Sequence, residues 1–217
     1  MRDWGFPSML GGVAYAPFDY IGDFLRGTRG IMIDMYRTPD KLLEAMEKLI
    51  PFILYGAITP ARISGGRFIF MPLHKGMDGF MSIDQFKTFF WPSLRKVILR
   101  LIEEDLIPMV LWEGDCTSRL EIIRDIPRGK AIYWFERTDI FKAKEILGDS
   151  VCIRGNVPAT MLCVGYPDDV RDYSKKLIDE VGEDGGFILD GGIGVPDEAK
   201  VENVRAMADT TREYGIY

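Results

Sequence analysis

Six times along this chain a short apolar run ends in a polar or glycine-rich tip and gives way to a stretch with helical spacing, and that alternation limits the folds open to it. The runs lie at residues 12–16, 68–73, 107–112, 131–135, 151–153 and 187–189. FIFMPL at 68–73 is a continuous apolar run of the kind buried on both faces in a parallel sheet. Thr38, Pro39 and Asp40 mark a helix start, with Thr as N-cap and Pro at the first helical position, and Leu42, Leu43, Met46, Leu49, Ile50 and Ile53 form its apolar stripe. Ser82 and Gln85 make a capping-box pair ahead of Phe86, Phe89, Phe90, Leu94, Val97, Ile98 and Leu101. Residues 117–126 and 140–147 read as helices stopped by Pro127 and Gly129 and by Gly148. The stretch 150–170 reads as strand, loop, short helical turn, loop and the start of a long helix. APFDYIGDFLRGTRG reads as a loop, and Asp197 as the cap of the last helix.

Strands alternating with helices imply a parallel sheet with helical crossovers. The polar tips fall at the C-terminal ends of the strands, where (β/α)8 enzymes build their sites. A doubly wound open sheet is the rival arrangement. A closed barrel needs eight strands and about 250 residues, whereas 217 residues supply about six βα units. The expectation is a TIM-type (β/α)8 barrel, incomplete, in one domain over 1–217, lacking its N-terminal third or borrowing two strands from a partner. A net charge of -6 argues against nucleic acid or an anionic membrane as the main partner. Three cysteines without metal-ribbon spacing fit a reducing compartment. No export signal or run of about 18 apolar residues is evident, so the expected location is the cytoplasm, with no membrane partner.

The tips carry the chemistry. Glu113 and Glu136 end apolar strands, where an unpaired carboxylate is costly, so a pocket is expected to hold them. His74, the only histidine, follows a buried strand and reads either as a hydrogen-bonding residue or as a ligand. Cys152 and Cys163 read as small core residues or, for Cys152, as a functional thiol; Cys116 sits in a loop, where burial explains it less well. Arg137 has Glu136 and Asp139 beside it as partners, and Asn156 has its own loop to bond. GGIGVP lacks the spacing of a dinucleotide-binding loop.

The segments GVAYAPFDYIGDFLRG, FERTD, CIRGNVPATMLCVGYPDDV and GGFILDGGIGVPDEAKVENVRAM, in that order, resemble the uroporphyrinogen decarboxylase superfamily from about Gly11 onward. The resemblance implies a (β/α)8 barrel, a start well before Met1 in ordinary members, and one of two activities. These are tetrapyrrole decarboxylation and cobalamin-dependent methyl transfer; PLHKGMDGFMS, EGDCTSRLE and GNVP look most like the O-demethylase-type branch. Where the decarboxylase has its site tyrosine, serine and histidine, this chain has Asp23, Arg137 and Gly192. Where the coenzyme M branch has zinc ligands, it has Trp112, Gly114 and Gly192.

The expectation is therefore a methyltransferase component that moves a methyl group between a small methylated compound, methoxy or similar, and a corrinoid protein that carries the cobalt cofactor. Glu113, His74 and Glu136 are the expected catalytic residues. Asp19, Asp23, Arg137, Asn156 and Asp190 are the expected substrate contacts, and zinc is expected on a mixed set drawn from Glu113, Cys152, Cys116 and His74. The alternatives are uroporphyrinogen III decarboxylation in haem biosynthesis and an inactive, truncated or split-barrel subunit. A homo-oligomer is also open.

Overall fold

The computed structural model describes residues 10–215. Its elements in chain order begin with β1 (Gly12–Val13), α1 (Pro17–Tyr20), α2 (Thr28–Arg37), α3 (Pro39–Ser64) and β2 (Phe68–Leu73). α4 (Ile83–Gln85), α5 (Trp91–Glu103), β3 (Ile107–Trp112), α6 (Leu120–Ile123), β4 (Ile132–Phe135) and α7 (Ile140–Leu147) follow. β5 (Cys152–Val157), α8 (Ala159–Val164), α9 (Pro167–Glu180), β6 (Phe187–Gly191) and α10 (Val201–Tyr214) complete the described chain.

The six strands form one sheet in the order β1-β2-β3-β4-β5-β6, every neighbouring pair parallel. That order decides between the two rival folds. With right-handed crossovers and no reversal of strand order, every connection lies on the same face of the sheet, as in a (β/α)8 barrel; a doubly wound sheet reverses its order at a switch point. The side chains of Ile69, Met71, Leu73, Val110, Trp112, Tyr133, Phe135, Ile153 and Val157 belong to the buried core shared with the helices. The alternate residues Met109, Leu111, Trp134 and Arg154 line the other face, the interior of a barrel wall.

The strong local signals form as expected. Ser82 Oγ accepts from the Gln85 N–H at 3.2 Å while Gln85 Oε1 accepts from the Ser82 N–H at 3.0 Å. From there the helix runs through a π-turn at Phe86–Phe90 into α5, burying Phe86, Phe90, Leu94, Val97 and Leu101. Four readings change. Gly155, Asn156 and Val157, read as a loop, continue β5 as strand, paired with Leu189, Asp190 and Gly191 of β6. β1 keeps only two residues, because Pro17 opens a helix that continues through a π-turn at Ile21–Leu25, so the expected loop is mostly helical. Residues 117–126 yield only one 3-10 turn (Thr117–Arg119) and the short α6. The last helix is preceded by Lys200 instead of Asp197, with the Lys200 N–H tied to Leu162 O at 3.0 Å. No helix among the described residues is long and apolar enough to cross a membrane.

Candidate active site

The strand ends converge because the ladder keeps them level: Leu73 pairs with Trp112 and Trp112 with Phe135. His74, Glu113 and Glu136 are the next residues on β2, β3 and β4, so all three emerge at the same rim. Main-chain bonds extend this past the strands, with Glu136 N–H donating to Trp112 O and Arg137 N–H to Gly114 O, both at 3.2 Å.

His74 is the hub. Its Nδ1 lies 2.7 Å from Asp23 Oδ2 and its Nε2 lies 3.6 Å from Glu113 Oε1. Its backbone N–H donates to Asp19 Oδ2 at 3.0 Å. Lys75, almost wholly buried, donates from Nζ to the other oxygen of Asp23. Burial pushes the Asp23 carboxyl up, but the hydrogen bonds from Lys75 and His74 outweigh it and hold Asp23 below the ordinary carboxylate range. Glu113 goes the other way: burial raises it, the proximity of Glu136 adds to that, and the attraction of His74 only partly offsets the two. Asp19 is completely buried, which pushes its carboxyl up to about 7 despite the His74 N–H and the charge of Lys75. Its Oδ1 has no hydrogen-bond partner among the described residues. The result is one acid held below the ordinary carboxylate range, one raised above it, and an imidazole oriented between them.

A second group sits one level down and to the side. Arg154 donates to Asp190 Oδ2 from Nε at 2.8 Å and Nη2 at 2.5 Å, and its guanidinium lies 3.8 Å from the centre of the Trp134 ring. Trp134 in turn donates Nε1–H to Gly191 O at 2.8 Å. At the end of β4 and β5 the rim opens into a cleft of about 680 Å³ whose lining includes Glu136, Arg137, Asn156, Tyr173 and Ile193. Glu136 accepts from the Gly114 N–H on Oε2 at 2.6 Å, leaving Oε1 3.8 Å from Arg137 Nε.

Of the residues expected at the site, Asp23, His74, Glu113, Glu136, Arg137, Asn156 and Asp190 meet along this rim. Asp19 does not reach the opening; it lies behind His74, buried, and acts on the site through that residue's backbone. Asn156 lines the cleft with its amide already committed, Nδ2 donating to Thr138 O at 3.1 Å and Oδ1 accepting from Tyr173 at 3.0 Å. Cys116 is buried beneath the rim, its N–H bonded to Thr138 Oγ1 at 3.0 Å and its thiol raised by burial far above the ordinary value. Cys152 starts β5, level with Ile132 and hence with Met109. Glu113 is four residues further along, roughly 13 Å at about 3.3 Å per residue. The two cannot share a metal ion. Among the described residues no three His, Cys, Asp or Glu side chains converge as a metal site, so the zinc set read from the sequence is not assembled and only His74 and Glu113 of that set adjoin.

Lys75 and Arg154 were missed. Both had a visible signal: a charge immediately past a buried strand, and a charge in mid-strand between Ile153 and Gly155, are each expensive without a partner.

A model of the uroporphyrinogen decarboxylase (URO-D) family matches residues 7–214. The chain belongs to this family. Relatives include the uroporphyrinogen decarboxylases of Chlorobium phaeobacteroides, 23% identical over 69% of this chain and 46% of that protein, and of Methylococcus capsulatus, 26% identical over 89% and 54%. The chain thus spans about half the length of the curated relatives it matches. A solved methyltransferase from Methanosarcina mazei superposes with a TM-score of 0.78 at 20% identity, over 99% of this chain and 62% of that one, and shares its fold. Family membership accounts for the barrel arc and its rim. The side chains on that rim carry the functional reading.

Proposed function

We propose that this chain belongs to a methyltransferase that moves a methyl group between a small methylated compound and a corrinoid protein. The observation that carries the reading is the joined Asp23–His74–Glu113 cluster at the strand ends. In methyl transfer the bond from the methyl carbon to its heteroatom breaks with the electron pair left on the heteroatom. A proton on Glu113, whose carboxyl burial pushes up and whose Oε1 lies 3.6 Å from His74 Nε2, is positioned to meet that pair, and general acid assistance of this kind contributes about 10²–10⁴ in rate. Asp23, fixed by Lys75, keeps the imidazole turned toward Glu113. The corrinoid, bound to its own carrier protein, would supply the nucleophile.

The electrostatics favour this reading over tetrapyrrole decarboxylation. A substrate carboxylate brought within about 4 Å of a rim carboxylate is repelled by about 4 kcal/mol at an effective dielectric of about 20, and Glu136 stands on the rim with its nearest cation, Arg137, beyond hydrogen-bonding distance. The likeness to the Methanosarcina mazei methyltransferase fold agrees with the reading. The decarboxylase reading keeps the support of the family description and of the curated relatives' names. A paired assay separates them: the protein is incubated with cob(I)alamin and a panel of methylated ethers, amines and thiols, and in parallel with uroporphyrinogen III. Methylcobalamin formation without loss of substrate carboxylates is expected. Prompt conversion of uroporphyrinogen without methylcobalamin would reverse the assignment.

A further inference from the structure

The cleft lined by Glu136 and Arg137 has a charge pattern of its own. Among the described residues that line it Arg137 is the only cation, and its side chain is 70% exposed. Two carboxylates line it as well. Asp139 is committed to capping α7, its Oδ1 accepting from the Phe141 and Lys142 N–H groups at 3.1 Å. Glu136 has one oxygen on the Gly114 N–H and the other facing Arg137 across 3.8 Å, too far for a hydrogen bond. The pair is thus an anion and a cation side by side, each with hydrogen-bonding capacity to spare. They are held in place by the main-chain bonds that tie residues 136 and 137 to β3 and the loop after it. The rest of the wall is largely apolar, with Ile193, Phe141 and Pro158.

We propose that the cleft recognises a small zwitterion, a quaternary ammonium carboxylate, lying head to tail along Glu136 and Arg137. This rests on the methyl-transfer reading for its purpose and names the class of methylated compound concerned. A simple anion would satisfy Arg137 but face Glu136. A simple cation would satisfy Glu136 and be repelled by Arg137. A ligand with its carboxylate on the guanidinium and its methylated nitrogen on the carboxylate satisfies both, since the charges of an α-betaine are separated by little more than the two protein groups. The apolar wall then takes the N-methyl groups. Arginine suits the carboxylate end because its planar fork donates two parallel hydrogen bonds to it.

The test is calorimetric titration of the whole chain, without cobalamin, using three probes of similar size: trimethylglycine, its uncharged-carbon analogue 3,3-dimethylbutanoate, and tetramethylammonium. Trimethylglycine is expected to bind on the order of tenfold or more tightly than either of the others, tenfold being about 1.4 kcal/mol. Glu136→Gln, whose amide oxygen still accepts the Gly114 N–H, should erase the margin over 3,3-dimethylbutanoate. Arg137→Gln, at an exposed side chain, should erase the margin over tetramethylammonium. Equal binding of trimethylglycine and its carbon analogue, absence of heat with trimethylglycine, or margins that survive both substitutions would overturn the proposal. Binding is read independently of turnover. Methyl transfer from a neutral ether with no trimethylglycine binding would sink this inference and leave the methyl-transfer reading standing, and tight trimethylglycine binding with no transfer from any donor would do the reverse.

Discussion

At the residue scale the molecule turns on how two acids next to one histidine are made unlike. Asp23 receives hydrogen bonds from His74 and Lys75 and stays ionised; Glu113 is half-buried with a 3.6 Å approach to His74 as its counter-charge. Because His74 is the only histidine, its imidazole signals can be followed by NMR without assignment of the rest. Both Asp23→Asn and Glu113→Gln should move them, and Cys152→Ser, at the other end of β5, should not; signals indifferent to Glu113→Gln would mean that the two side chains do not adjoin. Asp19 supplies a prediction with a definite sign. Its carboxyl is raised from an ordinary 3.8 to about 7, so between those values the folded chain holds a proton that the unfolded chain has released. Stability from this group therefore falls as pH rises through that window. Asp19→Asn keeps an acceptor for the His74 N–H and cannot ionise. Its Tm relative to the native chain should climb between about pH 4 and about 7, and a constant difference across that range would show that Asp19 ionises normally.

At the scale of elements, what the sequence made legible depended on how local the cause was. The capping box of Ser82 and Gln85 formed as read because its partners are three residues apart, and Ser82→Ala should lower unfolding stability by about 1 kcal/mol in urea denaturation. The stretch after Pro17 was misread as loop because its helix is secured by distant packing: Phe18 and Ile21 are buried, and Tyr20 stacks edge-on against Phe52 of α3 at 5.7 Å. β1 likewise depends on distant packing. Gly12 lies so close to α3 that a Cβ there would stand 2.5 Å from Ala57 O, a backbone contact that no sequence pattern announces. Gly12→Ala should cost more than a typical overpacking change of about 1–3 kcal/mol, with hydrogen exchange of the Gly11 and Ala14 amides, which bond Phe68 O and Phe70 O, rising first. An unchanged denaturation midpoint would mean that β1 has room to move away.

At the scale of the whole molecule, the alternation of apolar runs and helices was enough to give the parallel sheet and the rim on which most of the polar tips meet. It could not give depth along a strand. Cys152 and Asn156 both belong to the stretch that reads as one polar delivery to the site, yet four residues of extended chain put the first at the far end of β5 and the second in the cleft. Asp19 failed for the complementary reason, since the helix that carries it turns its side chain inward. What survives is a site of His74, Asp23, Glu113 and Glu136 with no contribution from Cys152, and methyl transfer to cob(I)alamin by the native chain, Glu113→Gln and Cys152→Ser tests it most directly. Loss of about 10²-fold or more in rate with Glu113→Gln, against an unchanged rate with Cys152→Ser, is the predicted result. A fully active Glu113→Gln beside an inactive, folded Cys152→Ser would contradict it.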